Sequence, residues 1–415
     1  MSHYKYVILG GGLAAGYAAQ EFVAQGISAG ELCLVAAEKT LPYERPPLSK
    51  AFLAGEKSTE EVLINEPSFY ADNGIVVMSG TAVTRVDFKQ KELYTTGEGD
   101  PTIGYDKLLI ATGAKPRTFN LPGSALSNIF YLRRIEDAQQ IRQQAAEARQ
   151  AVVIGGSFIA MEVTAVLQSR GVQTTMVFPE ERVWQAFFTP RMSAYFTSYY
   201  QDKGVTILPG TGIASFAGHG RVRQVITQDG QALDADMVVA GIGVKPNSAL
   251  FEGSGLQLKD GYVQVNRFLE TNIPDVVAAG DVTLYRDLVF ERPLHLEHWD
   301  NARSQAEHAA RLMLGIRRAY EHVPYFFSDI FDLSYEFWGD TEGAAQAVHR
   351  GRVEDGEFST WWLAADGRLL AAFVLNRPDE ERELAPAWIK AGKKLSAESL
   401  RRPTALQEAR ATMGS

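Results

Sequence analysis

The 415-residue sequence contains a single cysteine, Cys33. No disulfide can therefore form within the chain, and chemistry that relays electrons through a pair of thiols is excluded. Functions like those of glutathione reductase and thioredoxin reductase are excluded on the same ground. Cys33 lies in the alternating segment 31–35, which is typical of a strand, so its simplest interpretation is a small buried core residue.

The sequence also lacks an excess of positive charge and any long apolar run. Lysine and arginine number 41 against 50 aspartates and glutamates, for a formal net charge of −9. Nucleic-acid binding, which requires a basic footprint, is therefore disfavoured. No apolar run is long enough to span a bilayer, and residues 1–5 lead directly into a predicted strand without room for a signal peptide. We therefore predict a cytoplasmic protein that binds neither nucleic acid nor membrane.

One basic cluster stands out near the C-terminus. The simplest interpretation is a solvated helical face, and the alternative is a docking patch for an acidic protein. Its members are Lys390, Lys393, Lys394, Arg401 and Arg402.

Two glycine-rich turns are the most informative features that are present. Residues 7–15 read Val-Ile-Leu-Gly-Gly-Gly-Leu-Ala-Ala, and residues 152–160 read Val-Val-Ile-Gly-Gly-Ser-Phe-Ile-Ala. Each follows a short β-branched run and precedes a segment typical of a helix. A turn without side chains lets a pyrophosphate approach the N–H groups at a helix N-terminus. Two such turns predict two bound dinucleotides, and hence an enzyme in which electrons pass between them.

Two further apolar segments predict strands that end beside a bound cofactor. Residues 108–113 end in Ala-Thr-Gly, and residues 276–281 end in Gly-Asp. The carboxylate of Asp281 is well placed to bond a ribityl hydroxyl.

Together these motifs resemble the ferredoxin-reductase and monodehydroascorbate-reductase branch of the FAD- and NAD(P)H-dependent pyridine-nucleotide oxidoreductases. The resemblance covers residues 5–340 and is looser beyond them. Residues 42–50 add the motif Pro-Tyr-Glu-Arg-Pro-Pro-Leu-Ser-Lys. The other segments that carry the resemblance are 10–15, 111–113, 155–162, 241–246, 280–281 and 297–302.

The resemblance implies an α/β fold with two Rossmann-like dinucleotide-binding domains and a C-terminal α+β domain. A chain of this length is too long for one core. Residues 365–367, Ala-Asp-Gly, predict a hairpin turn in the last domain. The predicted boundaries are 1–113 with 246–322 for the FAD-binding domain, 114–245 for the NAD(P)H-binding domain and 323–415 for the C-terminal domain.

The first glycine turn and the strand after it predict contacts to FAD. Gly10 makes the tight turn, Gly12 admits the pyrophosphate and Ala15 fills the third fingerprint position. Glu38 follows the second strand, close to where a carboxylate takes the adenosine ribose hydroxyls. The alternative for Glu38 is an acid in an exposed loop.

The resemblance assigns further roles around the flavin. Arg45 would reach the cofactor phosphates, and Lys50 would approach the isoalloxazine; the alternative for each is an exposed loop charge. Glu162 would pair with Lys50 beside flavin N5, and a buried Lys–Glu pair is costly unless both partners are present. A helix starting at 299–302 would point its N-terminus at the flavin N1–C2=O, although Trp299 could instead be plain core.

The remaining assignments by resemblance concern the two cofactors together. Phe327 and Tyr325 would lie over the flavin face opposite the nicotinamide. The other predicted cofactor-binding residues are Val83, Thr112, Gly113, Arg117, Gly155, Ile159, Gly241, Gly243, Gly280 and Ala302. No metal site is predicted.

The second glycine turn departs from the usual fingerprint. Ser157 replaces the glycine that gives the phosphates their closest approach, which could weaken nicotinamide binding. The following strand ends at Phe178, and Glu180 comes two residues later. The same Phe-Pro-Glu occurs in monodehydroascorbate reductases, where it looks like the ribose-binding element. Its carboxylate repels a 2′-phosphate, so NADH is favoured over NADPH, and Arg182 could soften that preference.

Two positions bear on the electron acceptor. His295 stands where the monodehydroascorbate branch carries a substrate-contacting Arg, and Phe327 matches that branch's substrate Tyr unless Tyr325 substitutes. A small iron–sulfur protein of the ferredoxin type is therefore favoured over the monodehydroascorbate radical. A third alternative is a flavoprotein like apoptosis-inducing factor that senses NADH and binds a partner. The predicted catalytic residues are Lys50, Glu162, Trp299, Phe327 and His295, in a monomer or weak dimer.

Overall fold

The computed structural model describes residues 2–96 and 102–402. The first half of the chain forms β1 Ser2–Leu9, α1 Leu13–Ala24, β2 Leu32–Val35, α2 Ala51–Ala54, α3 Pro67–Asp72, β3 Val76–Met78, β4 Val83–Asp87, β5 Glu92–Thr95, β6 Thr102–Ile110, β7 Ala114–Pro116, β8 Ile129–Phe130, α4 Ile135–Ala145, β9 Gln150–Ile154, α5 Phe158–Ser169, β10 Gln173–Val177, α6 Pro190–Asp202 and β11 Thr206–Leu208. The second half forms β12 Ile213–His219, β13 Arg221–Thr227, β14 Ala232–Asp234, β15 Met237–Ala240, β16 Val244–Pro246, β17 Leu258–Lys259, β18 Tyr262–Val265, β19 Val276–Ala278, β20 Thr283–Arg286, β21 Pro293–Leu294, α7 Trp299–Met313, β22 Tyr325–Ile330, β23 Leu333–Gly339, β24 Gln346–Arg352, β25 Glu357–Leu363, β26 Leu369–Leu375, α8 Asp379–Lys390 and α9 Ala397–Arg401.

The chain folds into two compact units, each assembled from three separate segments. Within the described residues, unit 1 consists of 2–45, 59–115 without 97–101, and 244–324, and unit 2 consists of 46–58, 116–243 and 325–402. The three-domain boundaries stay a prediction, and their residues 403–415 lie outside the described part of the chain.

Unit 1 is built on a sheet of strand order β3-β2-β1-β6-β5-β4, with β19 also paired to β6. The central strands β1, β2, β6 and β19 run parallel. The strand predicted around Cys33 is present, but the alternating pattern assigned to segment 31–35 is wrong. All four residues of β2 are buried, so this strand is a continuous apolar run. Cys33 is fully buried there, as predicted, and burial raises the pKa of its thiol to about 12. A smaller sheet, β17-β18-β20-β21, belongs to the same unit.

Unit 2 combines two large sheets of different kinds and one small sheet. The first has the order β11-β10-β9-β15-β8, with its pairings parallel. A three-stranded antiparallel sheet, β12-β13-β14, accompanies it. The second large sheet, β22-β23-β26-β25-β24, is antiparallel. The predicted hairpin turn is present between β25 and β26, where Gly367 has a φ of +86°.

An aromatic cluster joins the two large sheets within unit 2. Phe158, the first residue of α5, lies 4.0 Å from Trp184 and 4.4 Å from Phe326, measured between ring centroids. Phe326 in turn stacks on Phe337 at 4.8 Å. Since aromatic side chains bury large areas, these contacts fix β22 against the start of α5.

None of the helices in residues 2–96 and 102–402 has both the length and the apolar composition needed to cross a membrane.

Candidate active site

The first glycine turn brings the end of β1 close to the end of β6. Gly10 has a φ of +136°, and its N–H donates to the Val35 carbonyl at 2.9 Å. A Cβ at Gly10 would lie 2.1 Å from the Ala111 carbonyl oxygen, so a side chain cannot be accommodated there. Ala15 is fully buried in the helix that follows.

The space at Gly12 fits a phosphate. Gly12 precedes the first residue of α1, and in the described structure no side chain caps this helix and no acid lies in its first turn. Among the described residues, a Cβ at Gly12 would have one neighbouring group within 4 Å, the Arg45 guanidinium, whose Nη2 lies at 3.6 Å. A helix N-terminus, a turn without side chains and a guanidinium are the groups that bind a pyrophosphate. The residues present therefore fit FAD.

Arg45 is held in place by Glu38 and Tyr43. The Arg45 Nη2 lies 2.8 Å from Glu38 Oε1, and the Tyr43 hydroxyl donates to Glu38 Oε2 at 2.6 Å. The guanidinium also covers the Tyr43 ring, 4.6 Å from its centroid. Both Glu38 oxygens thus accept hydrogen bonds already, and a ribose hydroxyl would share these acceptors. The ribose role of Glu38 stays a prediction.

Glu44 is a functional candidate that the sequence reasoning missed. Its carboxylate accepts hydrogen bonds from the Tyr17 hydroxyl of α1 and from Trp299 Nε1 at the start of α7. Burial and this hydrogen bond raise the pKa of Tyr17. Glu44 therefore orients Trp299, whose helix N-terminus is the predicted partner of the flavin N1–C2=O. Its position inside the motif of residues 42–50 was the available signal.

Asn247 is the second missed residue. Its side-chain amide donates to the Thr112 carbonyl at 3.0 Å, and its backbone N–H donates to the Gly113 carbonyl at 2.9 Å. The Thr112 hydroxyl donates back to the Asn247 carbonyl at 2.8 Å. The Ala-Thr-Gly segment after β6 is thus fixed to the returning chain, close to the sequence motif of residues 241–246.

Gly280 lets α1, α7 and the end of β19 approach one another. Its φ is +81°, and a Cβ there would lie 3.4 Å from Ala14 Cβ and 3.6 Å from Ala302 Cβ. The Gly280 N–H donates to Gln305 Oε1 at 2.8 Å. Asp281 follows this turn and is half-buried. Burial lowers the pKa of the Arg45 guanidinium, but Tyr43, Glu38 and Asp281 outweigh this effect and raise it. The structure therefore brings Gly280, Asp281 and Ala302 to the same end of the sheet as the first glycine turn.

The second glycine turn repeats the geometry of the first. Gly155 has a φ of +133°, and its N–H donates to the Val177 carbonyl at 2.9 Å. A Cβ at Gly155 would lie 2.4 Å from the Gly241 carbonyl oxygen, matching the approach of Gly10 to Ala111. Ser157 takes the place of Gly12 as the residue preceding the helix, and its hydroxyl makes no capping bond to described residues.

Phe178 and Trp184 both contact the second glycine turn at Gly156. A Cβ at Gly156 would lie 2.9 Å from the Phe178 ring, and Phe178 is fully buried. The Gly156 carbonyl accepts a 2.7 Å hydrogen bond from the N–H of Trp184, whose φ is +52°. Phe178, which follows β10 directly, therefore packs against the turn. The first acidic residue after the strand is Glu180, which is exposed.

Several other predicted cofactor-binding residues lie around the same end of the parallel sheet. Ile159 lies in the first turn of α5 and is 39% exposed, and its cofactor-binding role stays a prediction. Gly243, with a φ of +90°, accepts a 2.9 Å backbone hydrogen bond from Arg117. Val83, by contrast, begins β4 in unit 1.

The predicted contact between Lys50 and Glu162 is present in unit 2. Lys50 Nζ lies 2.7 Å from Glu162 Oε1, with the side chains 14% and 5% exposed. The ammonium also lies 5.6 Å from the centroid of the Phe327 ring. Ser49 and Ser328 each donate a hydrogen bond to the Glu162 carboxylate. A charge pair this well enclosed is costly to build, which favours a functional role.

His295 stands where the resemblance predicts a substrate-contacting Arg. Its exposed ring lies 4.5 Å from the Tyr262 ring, and the Tyr262 hydroxyl donates to Glu297 Oε1 at 3.0 Å. In unit 2, Phe327 stacks on Tyr325 at 6.2 Å.

Comparison with known proteins identifies the class. The model of the pyridine nucleotide-disulphide oxidoreductase family matches residues 4–306, and that of the reductase C-terminal domain matches residues 325–409. The chain belongs to this family of flavoprotein reductases. It is 40% identical to monodehydroascorbate reductase 4, peroxisomal, of Arabidopsis thaliana, covering 92% of this chain and 81% of that one. It is 36% identical to the monodehydroascorbate reductase of Solanum lycopersicum, covering 92% and 93%.

Solved structures give the second group of relatives. The putidaredoxin reductase in its covalent complex with putidaredoxin has a TM-score of 0.93 at 30% identity, covering 100% of both chains. The ferredoxin reductase for the CYP199A2 system from Rhodopseudomonas palustris has a TM-score of 0.92 at 29% identity, covering 98% and 99%.

The predicted fold class and the predicted FAD and NAD(P)H cofactors are confirmed. The protein is an FAD-dependent NAD(P)H oxidoreductase. When bound, FAD takes a hydride from the nicotinamide and passes electrons to an acceptor. The family name includes disulphide reduction, but Cys33 is the chain's only cysteine and is buried, so this member has no thiol pair for that chemistry.

Proposed function

We propose that this enzyme passes electrons from NADH to a small iron–sulfur protein of the ferredoxin type. The observation that carries the proposal is the environment of His295. An ascorbate anion at this surface would meet an imidazole and the Glu297 carboxylate, joined through Tyr262, instead of a fixed guanidinium. A protein partner, which docks over a broad surface, does not depend on one such cation. The whole-chain likeness to putidaredoxin reductase supports the same acceptor.

The monodehydroascorbate radical is the second candidate. Its support is the identity to the Arabidopsis enzyme, which is higher than the identity to either ferredoxin reductase. Tyr325 lies two residues before Phe327, on the same face of β22, and its hydroxyl donates to Glu336 at 2.8 Å. That phenol could replace the one absent at Phe327. No observation on the described residues favours a function like that of apoptosis-inducing factor.

The geometry of each unit supports the roles that the resemblance assigns to individual residues. In unit 1, Arg45 and the first glycine turn would bind the FAD pyrophosphate, Asp281 the ribityl chain, and the N-terminus of α7 the flavin N1–C2=O. In unit 2, the second glycine turn with Glu180 would bind NADH. Lys50 and Glu162 would lie at flavin N5, where the nicotinamide enters. A cytoplasmic location and a monomer or weak dimer complete the proposal.

A comparison of acceptors tests the proposal. The enzyme is expected to reduce ferricyanide and a ferredoxin–cytochrome c couple well and monodehydroascorbate poorly. His295→Arg with Phe327→Tyr should raise kcat/KM for monodehydroascorbate by about 10- to 150-fold, the value of a charge-assisted hydrogen bond of about 1.5–3 kcal/mol. Ferricyanide turnover should stay within about twofold, since the flavin would receive its hydride as before.

His219→Arg provides the matched control, because it adds the same charge at an exposed histidine of β12. It should leave monodehydroascorbate turnover unchanged. If the unmodified enzyme already reduces monodehydroascorbate at nearly the rate of ferricyanide, the second candidate replaces the first.

Coenzyme choice gives a further prediction. Glu180→Ala should narrow the preference for NADH over NADPH in kcat/KM by about 1 kcal/mol, roughly fivefold, because an exposed carboxylate no longer repels the 2′-phosphate. Glu181→Ala removes the same charge one residue away and should change the preference less. A wild-type preference for NADPH would show that Arg182 governs the site and that the role given to Glu180 is wrong.

A further inference from the structure

The Glu162 carboxylate is surrounded by three hydrogen-bond donors. Lys50 Nζ and the Ser328 hydroxyl bind Oε1 at 2.7 and 2.5 Å, and the Ser49 hydroxyl binds Oε2 at 2.5 Å. Three donors match an ionised carboxylate, which accepts hydrogen bonds and donates none. Only Lys50 among the three was expected from the sequence.

The two hydroxyls come from distant parts of the chain. Ser49 ends the 3₁₀ turn Pro46–Ser49 and is 2% exposed. Ser328 lies in β22 of the C-terminal sheet and is fully buried. Glu162 itself lies on α5, in the first two turns after the second glycine turn. Three segments of unit 2 therefore converge on one carboxylate.

We propose that Ser49 and Ser328 are positioning residues that fix the Glu162 carboxylate against Lys50 and thereby set the rate of flavin reduction by NADH. The proposal rests on the proposed function of the Lys50–Glu162 pair at flavin N5. It also gives the C-terminal sheet a part in the first half-reaction, through Ser328.

The geometry explains why two hydroxyls are needed. The last torsion of a Glu side chain has a broad energy profile, so a single contact to Lys50 leaves the carboxylate plane poorly defined. The Ser49 hydroxyl supplies a donor to Oε2, which defines this plane, and the Ser328 hydroxyl adds a second donor to Oε1 beside Lys50. Because a hydroxyl is neutral, the two serines orient the carboxylate without changing the net charge beside Lys50. Their effect should therefore appear in the rate of hydride transfer and not in NADH binding, which depends on the second glycine turn.

The test is stopped-flow reduction of the intact FAD-loaded enzyme by NADH, without oxygen, followed by the loss of flavin absorbance. Ser49→Ala and Ser328→Ala should each slow the limiting rate about tenfold, as expected for one lost charge-assisted hydrogen bond. The NADH concentration at half-maximal rate should change less than about twofold. Ser359→Ala is the matched control, since Ser359 is fully buried in β25 of the same sheet and bonds Trp361.

A double-mutant cycle separates positioning from a general packing role. In a Glu162→Gln background the bonds to residue 162 are no longer charge-assisted, so adding Ser328→Ala should slow reduction less than about threefold. An undiminished tenfold loss in that background would show that Ser328 acts on the fold and not through Glu162, and would overturn the proposal. Wild-type rates in both serine variants would overturn it as well.

Failure of the proposal is distinguishable from failure of the proposed function. If Lys50→Met and Glu162→Gln slow flavin reduction while the serine variants do not, the pair acts at the flavin and only the positioning role is wrong. If Lys50→Met and Glu162→Gln leave the rate unchanged, the role of the pair is wrong, and the role of the serines falls with it.

Discussion

Gly10→Ala is expected to give a colourless protein that unfolds far more easily than the wild type. The backbone there has a φ of +136°, and the new methyl group would lie 2.1 Å from the Ala111 carbonyl oxygen at the end of β6. Neither β1 nor β6 can shift to make room for the methyl group, because both lie in the buried sheet of unit 1. We expect the free energy of unfolding to fall by more than about 4 kcal/mol, a loss that only severe disruption of the core produces. Urea unfolding and flavin absorbance after purification measure both effects.

Gly12→Ala is the informative partner of this variant. Its methyl group would lie in ordinary contact, 3.6 Å from Arg45 Nη2, so the apoprotein should fold. The methyl would occupy the space where the pyrophosphate approaches, so FAD affinity should fall by about 2 kcal/mol or more, roughly 30-fold. Gly26 has a φ of +78°, and no described residue lies within 4 Å of a Cβ placed there, so Gly26→Ala measures the backbone strain alone. A yellow Gly10→Ala protein as stable as Gly26→Ala would contradict the prediction.

Glu162→Gln is expected to reduce both catalysis and stability. It leaves the Lys50 ammonium, 14% exposed, without its counter-ion. Breaking a buried pair from one side costs about 3–5 kcal/mol, and we expect the lower end because the amide still accepts a hydrogen bond. Flavin reduction by NADH should slow about 100-fold, equivalent to about 2.7 kcal/mol of lost transition-state stabilisation.

Asp332→Asn tests whether the burial of the Lys50–Glu162 pair causes the losses expected for Glu162→Gln. It breaks the Lys203–Asp332 pair in the same unit, where the side chains are 38% and 69% exposed. An exposed pair contributes less than about 1 kcal/mol, so stability and flavin reduction should hardly change. Equal losses of unfolding free energy in the two variants would show that burial does not increase the contribution of the Lys50–Glu162 pair to stability.

The parts of the fold predicted from sequence are those with a local pattern. Both glycine turns, the strand around Cys33 and the β25–β26 hairpin depend on a few adjacent residues, and all four are present. The contact between Lys50 and Glu162 was predicted only through the family resemblance. Nothing in the spacing of those two residues indicates that they meet.

The unpredicted parts of the site depend on contacts between remote segments. Ser328 and Asn247 are common residue types without a distinctive spacing, and their roles come from the groups that folding brings within 3 Å. Trp184 is a similar case, since its positive φ follows from the fit of its loop beneath Gly156. Local propensity carries no information on any of these, because packing between distant elements decides them.

The segments of unit 1 are far apart in the sequence, and this has a consequence for synthesis on the ribosome. Leu108, Leu109 and Ile110 of β6 pair with β19, whose first residue is Val276, and α1 packs against α7. Until residues 276–313 have left the exit tunnel, the apolar half of β6 has an unpaired edge and α1 lacks its neighbour. We therefore expect a nascent chain halted before residue 276 to expose an unpaired strand edge, which favours aggregation until the second half of the chain is made.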